Sequence, residues 1–159
     1  MPFAKSLADL PSPEDILSMS GLEFMTRMAA GEIMGPPIGE SLGYSVHLVE
    51  DGRVVFRGAP SFSTTNPTGA VHGGWYGTLL DSAMACAVMT KVPKGSVYTT
   101  LEYKISILRP IPIGMMIECE GIVDHAGRRT GVAHGEIRGV EDGKLYATGT
   151  TTCIIMKMD

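Results

Sequence analysis

The stretch NPTGAVHGGWYGTLLDSAMACAV, residues 66–88, decides the fold of this chain. It begins with a proline turn and a His-Gly-Gly sequence, and then stays apolar for about four helical turns. Asp81 is the single carboxylate within that apolar run. Burying an ionised carboxylate without partners is costly, so such a group either protonates or acquires partners. The run therefore predicts a buried central helix whose one acid needs an explanation.

The composition describes one globular domain. The chain has 159 residues, of which 44% are hydrophobic and 19% charged, and this is enough to bury a core. The net charge is -4 and the cationic residues are scattered, which argues against a nucleic-acid partner. No apolar run is long enough to cross a bilayer, so no membrane partner is expected. The N-terminal stretch lacks the apolar segment of a signal peptide, which predicts a cytoplasmic protein.

The three cysteines are interpreted as reduced, buried thiols. Cys86, Cys119 and Cys153 are odd in number, far apart and set in apolar surroundings. A catalytic role for Cys86 is disfavoured, because no cationic neighbour in the sequence would lower its pKa.

The segments on either side of the central run alternate between helix and strand signals. Ser12-Pro13-Glu14-Asp15 starts a helix, which has a break at Ser20-Gly21 and ends at GPPIG, residues 35–39. Two strand-like runs surround the turn signal Asp51-Gly52. Residues 97–107 then alternate with period two, which predicts one buried face that carries the odd-numbered side chains. Three further strands follow, separated by short turns.

Short turns force neighbouring strands to run antiparallel, and such a sheet needs an apolar element across its buried face. The predicted fold is therefore α+β: one curved antiparallel sheet wrapped around one long central helix, with an extra N-terminal helix. We divide the chain into an N-terminal helical extension, residues 1–40, and a main domain, residues 41–159.

Asp81 shares its helical stripe with Gly74, Gly77 and Ala85, which are small enough to let another group approach the carboxylate. One interpretation is an acid held by partners from the sheet or from a second subunit. The other is a catalytic acid. Gly73 and Gly74 leave backbone N–H groups free at the helix N-terminus, where a carbonyl oxygen could become an oxyanion, and Asn66 and His72 could add donors.

Rival chemistries lack their motifs. The histidines, at positions 47, 72, 125 and 134, show no metal-ligand spacing with the cysteines or acids, so no metal is predicted. The chain contains neither the G-x-S-x-G elbow of α/β-hydrolases nor a glycine-rich nucleotide loop. No cofactor is predicted.

The residues from Asn66 to Asp81 resemble the signature of the hotdog-fold acyl-CoA thioesterases, and most closely that of the phenylacetate-pathway (PaaI-like) subgroup. Asn66 precedes His72 by six residues and Asp81 follows it by nine, as in that signature. The resemblance continues through TTLEYKISILRPIPIG, AGRRTGVAHGEI and DGKLYATGTTTCII, and covers roughly residues 35–155. It implies the hotdog fold and hydrolysis of a medium-chain or aromatic acyl-CoA.

The resemblance also implies roles for the catalytic residues. The Gly73 N–H would polarise the thioester carbonyl, with Asn66 beside it as a second donor or a positioning group. Asp81 would activate the attacking water or attack directly. Thr100, or alternatively Thr99, would hold the water. His72 would maintain the geometry of the loop.

For substrate binding, the resemblance points to Gly74, Trp75 and Thr99 near the thioester. Arg128 and Arg129 would contact the CoA phosphates, unless they form an ordinary solvated turn. Related enzymes are homo-oligomers, homodimers or homotetramers built as a dimer of dimers, in which Asp81 and Gly73 can serve one site from different subunits. The hydratase branch of the fold needs a His five residues after the Asp, where this chain has Cys86. A non-catalytic acyl-CoA-binding protein remains the alternative function.

Overall fold

The computed structural model describes residues 1–158. Six antiparallel strands form one sheet in the order β1-β2-β4-β5-β6-β3. The strands are β1 Tyr44–Glu50, β2 Arg53–Gly58, β3 Ser96–Ile107, β4 Ile117–Ala126, β5 Thr130–Gly139 and β6 Leu145–Lys157. The helices are α1 Pro13–Leu17, α2 Gly21–Ala29, α3 Pro37–Leu42 and α4 Gly73–Met89, with 3-10 turns at Leu7–Asp9 and Phe62–Thr64.

The long helix α4 is the centre of the molecule. It is buried around most of its circumference, as its apolar sequence predicts. Glycines let the sheet approach it closely. A Cβ at Gly121 of β4 would collide with the Ala83 carbonyl, and one at Gly135 of β5 would lie 2.8 Å from Cγ of Met84. The predicted sheet wrapped around one central helix is confirmed.

The N-terminal segment packs against α4 and the start of the sheet. Ser12 caps α1 and Ser20 caps α2, which confirms the break between them. The N–H of Gly21 donates to the Val92 carbonyl at 2.9 Å, and this bond fixes α2 to the end of α4. The sequence did not predict α3, which ends at Gly43 with φ of 73°. Since α3 crosses residue 40, the proposed division of the chain at that point stays a prediction.

The predicted alternation along β3 is wrong in one respect. A bulge at Leu101 shifts the register between Thr100 and Glu102. Because the extra residue reverses the phase of the alternation, Thr100 faces α4 before the bulge while Tyr103 and Ile107 face it afterwards. Leu101 itself is 60% exposed. The bulge thus decides which threonine points at Asp81.

Within residues 1–158, none of the helices has the length and hydropathy that crossing a bilayer requires.

Candidate active site

His72 caps the N-terminus of α4. Its Nδ1 accepts a hydrogen bond from the Gly74 N–H at 2.9 Å, and its own N–H donates to the Thr64 carbonyl at 2.8 Å. The imidazole is therefore engaged in holding the turn, which agrees with the predicted geometric role. For the Gly73 N–H we find no acceptor among the residues described. This N–H points out of the helix end, where the helix dipole also favours negative charge.

Asn66 organises the loop before the helix. Its Oδ1 accepts hydrogen bonds from the backbone N–H of Thr68 at 2.9 Å and from the Thr68 hydroxyl at 2.6 Å. Its backbone N–H donates to the Ala70 carbonyl at 2.8 Å. With Oδ1 occupied, the side-chain NH2 group remains a donor, since no acceptor for it occurs in the described chain. A positioning role and a donor role are both compatible with this geometry.

Asp81 extends from the middle of α4 toward β3. Its Oδ1 accepts a hydrogen bond from the Thr100 hydroxyl at 3.0 Å, whereas Thr99 is exposed on the other face of the strand. Burial raises the pKa of Asp81 above its ordinary value, and the Thr100 bond opposes this with a smaller effect. A half-buried carboxylate with a raised pKa is a better proton acceptor than an exposed one.

The stripe of small residues on α4 admits side chains of β3. A Cβ at Gly73 would lie 3.5 Å from Cδ1 of Ile107, and one at Gly77 would lie 3.5 Å from the ring of Tyr103. Along the same line, β3 presents the Thr100 hydroxyl to Asp81. The strand thus supplies the close approach that the glycines predicted, and its polar residue lies opposite the acid.

Within one chain, the helix start and the acid are too far apart to act on one carbonyl. Gly73 and Asp81 are eight residues apart on α4, which corresponds to about 12 Å along the axis. An oxyanion donor and a general base must each lie about 3 Å from the groups they serve. One subunit alone therefore does not bring these two residues together.

Trp75, predicted to contact substrate, is 2% exposed. Its indole N–H donates to the Leu42 carbonyl at 2.9 Å, so its contacts favour a structural role. Sequence reasoning missed two residues near the acid, Ser82 and Tyr98. Ser82 follows Asp81 directly, and Tyr98 lies two positions before Thr100, so their place in the sequence was the available signal.

Cys86 is unsuited to nucleophilic chemistry. Part of its surface faces a cavity, but protein surrounds it, and burial raises the pKa of its thiol to about 12. The thiol is therefore neutral near pH 7. Cys86, Cys119 and Cys153 are all unpaired, as the sequence predicted.

Arg128 and Arg129 lie on the exposed turn between β4 and β5. Together with Lys157 they border a depression of about 470 Å³. Neither arginine forms an ion pair with another of the residues from 1 to 158. Thr130 and Thr99 both pair with Ile154 of β6, so this turn lies two strands from β3, which is about 10 Å.

No group of three or more His, Cys, Asp or Glu side chains suited to hold a metal ion occurs in residues 1–158.

The fold and the site define a class. An antiparallel sheet around a central helix that carries one acid is the hotdog arrangement, and structures of that class align with this chain. A candidate thioesterase from Ralstonia eutropha JMP134, described as related to phenylacetic acid degradation, is 31% identical. That alignment has a TM-score of 0.75 and covers 82% of this chain and 98% of the Ralstonia chain.

The particular family follows from the sequence comparison. The profile of the Thioesterase superfamily matches residues 68–146, which include Gly73 and Asp81. This chain belongs to the thioesterase superfamily, and its similar structures are of the PaaI type. A Streptococcus pneumoniae TIGR4 protein described as a hypothetical thioesterase with coenzyme A is 26% identical, with a TM-score of 0.66 over 76% of this chain and 93% of its own.

One curated relative is a Caenorhabditis elegans protein named as a candidate esterase. It is 34% identical over 87 residues, which are 55% of this chain and 51% of the relative. The chain thus spans about half the length of the curated relative that it matches.

Proposed function

We propose that this protein is an acyl-CoA thioesterase that hydrolyses medium-chain or aromatic acyl-CoA to the free acid and CoA. The observation that carries the proposal is the Asp81 carboxylate, which is half-buried on the central helix and held by the Thr100 hydroxyl at 3.0 Å. Membership of the thioesterase superfamily and the CoA named with a similar structure support the reaction type and the substrate.

In the proposed reaction, Asp81 takes a proton from a water molecule as the water oxygen bonds to the thioester carbonyl carbon. The carbonyl oxygen becomes an oxyanion, which the Gly73 N–H stabilises at the helix end. The C–S bond then breaks, and the CoA thiolate receives the proton from Asp81. The Thr100 hydroxyl, which already contacts the carboxylate, orients it and the water.

The proposed site is shared between two subunits, because about 12 Å of helix separates the two groups in one chain. The outer edge of β3 has no neighbouring strand in the described sheet and exposes apolar side chains: Leu101 60%, Tyr103 46% and Ile107 46%. Such an edge favours pairing with another strand. We propose that it pairs with the same edge of a second copy.

The contacts of β3 explain how this pairing completes the site. β3 lies beside Asp81 at Thr100 and beside Gly73 at Ile107. When two β3 edges pair antiparallel around a two-fold axis between these positions, the Thr100 end of one strand lies next to the Ile107 end of the other. Gly73 of the partner subunit then approaches Asp81. Further pairing into a dimer of dimers stays a prediction, as does the cytoplasmic location.

The decisive experiment is hydrolysis of a panel of acyl-CoAs, from acetyl to dodecanoyl together with phenylacetyl, followed by thiol release. We expect turnover that is fastest with medium-chain or aromatic substrates. Saturable binding of these compounds without thiol release would instead identify a non-catalytic acyl-CoA-binding protein.

Charge reversal of both arginines on the β4–β5 turn, Arg128→Glu with Arg129→Glu, is expected to raise KM for acyl-CoA by roughly tenfold, because charge-assisted contacts to phosphate hold the ground state. Small acyl thioesters that lack the nucleotide should be unaffected. Lys144→Glu, at the opposite end of β5, is the matched control. Equal losses with both kinds of substrate would place the nucleotide elsewhere.

Removing the Thr100 hydroxyl is expected to move the acid limb of the pH–rate profile to higher pH. The hydroxyl lowers the pKa of Asp81, so Thr100→Val leaves the opposing effect of burial unbalanced and the pKa rises further. The carboxylate form, which is the active base, is then lost at a higher pH as the solution is acidified. Thr99→Val is the control, since Thr99 is exposed. A shift of equal size in both variants would contradict the assignment of Thr100.

A further inference from the structure

The N-terminal segment and α4 enclose an apolar cavity of about 210 Å³. Residues from the N-terminal segment form one wall and residues from α4 and the sheet form the other. None of them carries a charged side chain. They are Met1, Phe3, Phe24, Met25, Met28, Pro36, Ile38 and Gly39 on the first wall, and Tyr44, Ser45, Phe56, Ser82, Cys86, Met89 and Tyr98 on the second.

The cavity lies beside the catalytic acid. Ser82 follows Asp81 on α4, and Tyr98 lies on the same face of β3 as Thr100, which binds Asp81. A larger depression of about 540 Å³ nearby is a weaker candidate for an apolar ligand. That depression includes Glu40 and Arg57, and no residue of α4 lines it.

We propose that this cavity binds the acyl group of the substrate, and that the N-terminal segment sets the length of acyl group that the protein accepts. The proposal rests on the thioesterase function proposed above, because it gives the occupant as the apolar part of a thioester whose carbonyl lies at Asp81. It also gives the helical extension a purpose, since Phe24, Met25 and Met28 all come from α2.

The volume sets the size of the acyl group. An apolar cavity of about 150 Å³ accommodates benzene, with six carbon atoms. Scaled by volume, 210 Å³ holds about eight carbon atoms at the same density. An octanoyl chain or a phenylacetyl group fits within this limit, whereas a dodecanoyl chain exceeds it.

The polar groups of the lining are satisfied within the protein, which favours an apolar occupant. The hydroxyls of Tyr44 and Ser82 lie 3.0 Å apart and bond to each other. The Cys86 thiol is neutral, as its raised pKa indicates. A charged or hydroxylated acyl group would lose its hydration here without gaining a partner, so such substrates should be disfavoured.

The test fills the cavity from the N-terminal side. Met28→Trp adds volume at a partly buried wall position, and Met34→Trp makes the same change at a residue outside the lining that is 40% exposed. We expect Met28→Trp to lower kcat/KM for octanoyl-CoA by about tenfold or more while butanoyl-CoA is little changed. Met34→Trp should behave as wild type with both substrates. Met28→Ala, which enlarges the cavity, should improve the relative rate with longer chains.

Affinities for non-hydrolysable S-butyl-CoA and S-octyl-CoA, measured on the same variants, separate this inference from the proposed function. Wild-type turnover with a chain-length profile that neither Met28→Trp nor Met28→Ala alters would overturn the inference and leave the thioesterase function standing. Absence of turnover, with S-octyl-CoA binding that Met28→Trp weakens, would support the cavity and refute the thioesterase function. Equal affinity for both chain lengths in every variant would exclude the cavity as the acyl site.

Discussion

Asp81→Asn is expected to lower kcat by about 10²- to 10⁴-fold, the usual contribution of a general base, with little change in KM. Asparagine keeps the size of the side chain and an oxygen that can accept the Thr100 bond, but it cannot take a proton from water. Turnover and the thermal midpoint should be measured on the same preparation. A folded variant with near wild-type kcat would eliminate Asp81 as the catalytic base.

The same substitution should not destabilise the protein at neutral pH. Burial raises the pKa of Asp81 in the folded state, so the folded protein binds this proton more tightly than the unfolded chain does. The resulting stabilisation is present at low pH and is lost as the pH rises through the raised pKa. At pH 7 the wild type therefore retains the cost of a half-buried charge, which asparagine lacks. A lower thermal midpoint for Asp81→Asn at pH 7 would instead support a structural role for the acid.

Gly73→Pro is expected to lower kcat by about 10²- to 10³-fold, because it deletes one oxyanion donor. Gly73 is the first residue of α4, a position where proline is favoured, and His72 before it has φ of -65° and ψ of 138°, which proline tolerates in its neighbour. Gly73→Ala is the matched control. It keeps the N–H, and its Cβ would lie 3.5 Å from Ile107, an ordinary contact. Comparable losses in both variants would show that the backbone N–H is not the cause.

Mixing the two inactive variants tests whether the site is shared. In a dimer of one Asp81→Asn subunit and one Gly73→Pro subunit, one shared site has both defects and the other has none. Random reassociation of equal amounts makes half of the dimers hybrid, so about a quarter of the wild-type activity should return. If each site drew both residues from one chain, no activity would return. Sedimentation should show at least a dimer for the wild type.

The amino-acid sequence by itself determined the central helix, the sheet around it and the family of the site. A run that is apolar around the whole helix can only be stable when other elements surround it. Turn signals such as Asp51-Gly52 act between residues adjacent in the chain, and Gly52, with φ of 83°, occupies a backbone conformation that glycine adopts without strain. The His72 cap is equally local, since its partner is Gly74. Such features are readable because their causes lie within a few residues.

Only the tertiary structure decided which threonine contacts Asp81 and what the N-terminal segment does. The choice of Thr100 depends on the bulge at Leu101, which arises from pairing between β3 and β6 and leaves no local signal in the sequence. The cavity depends on Met28 lying opposite Cys86 and Tyr98, dozens of residues away along the chain. Periodicity reports which face of an element is buried, but not which distant element covers it. Packing between separate elements settles that, because it depends on the shapes of all the side chains that meet.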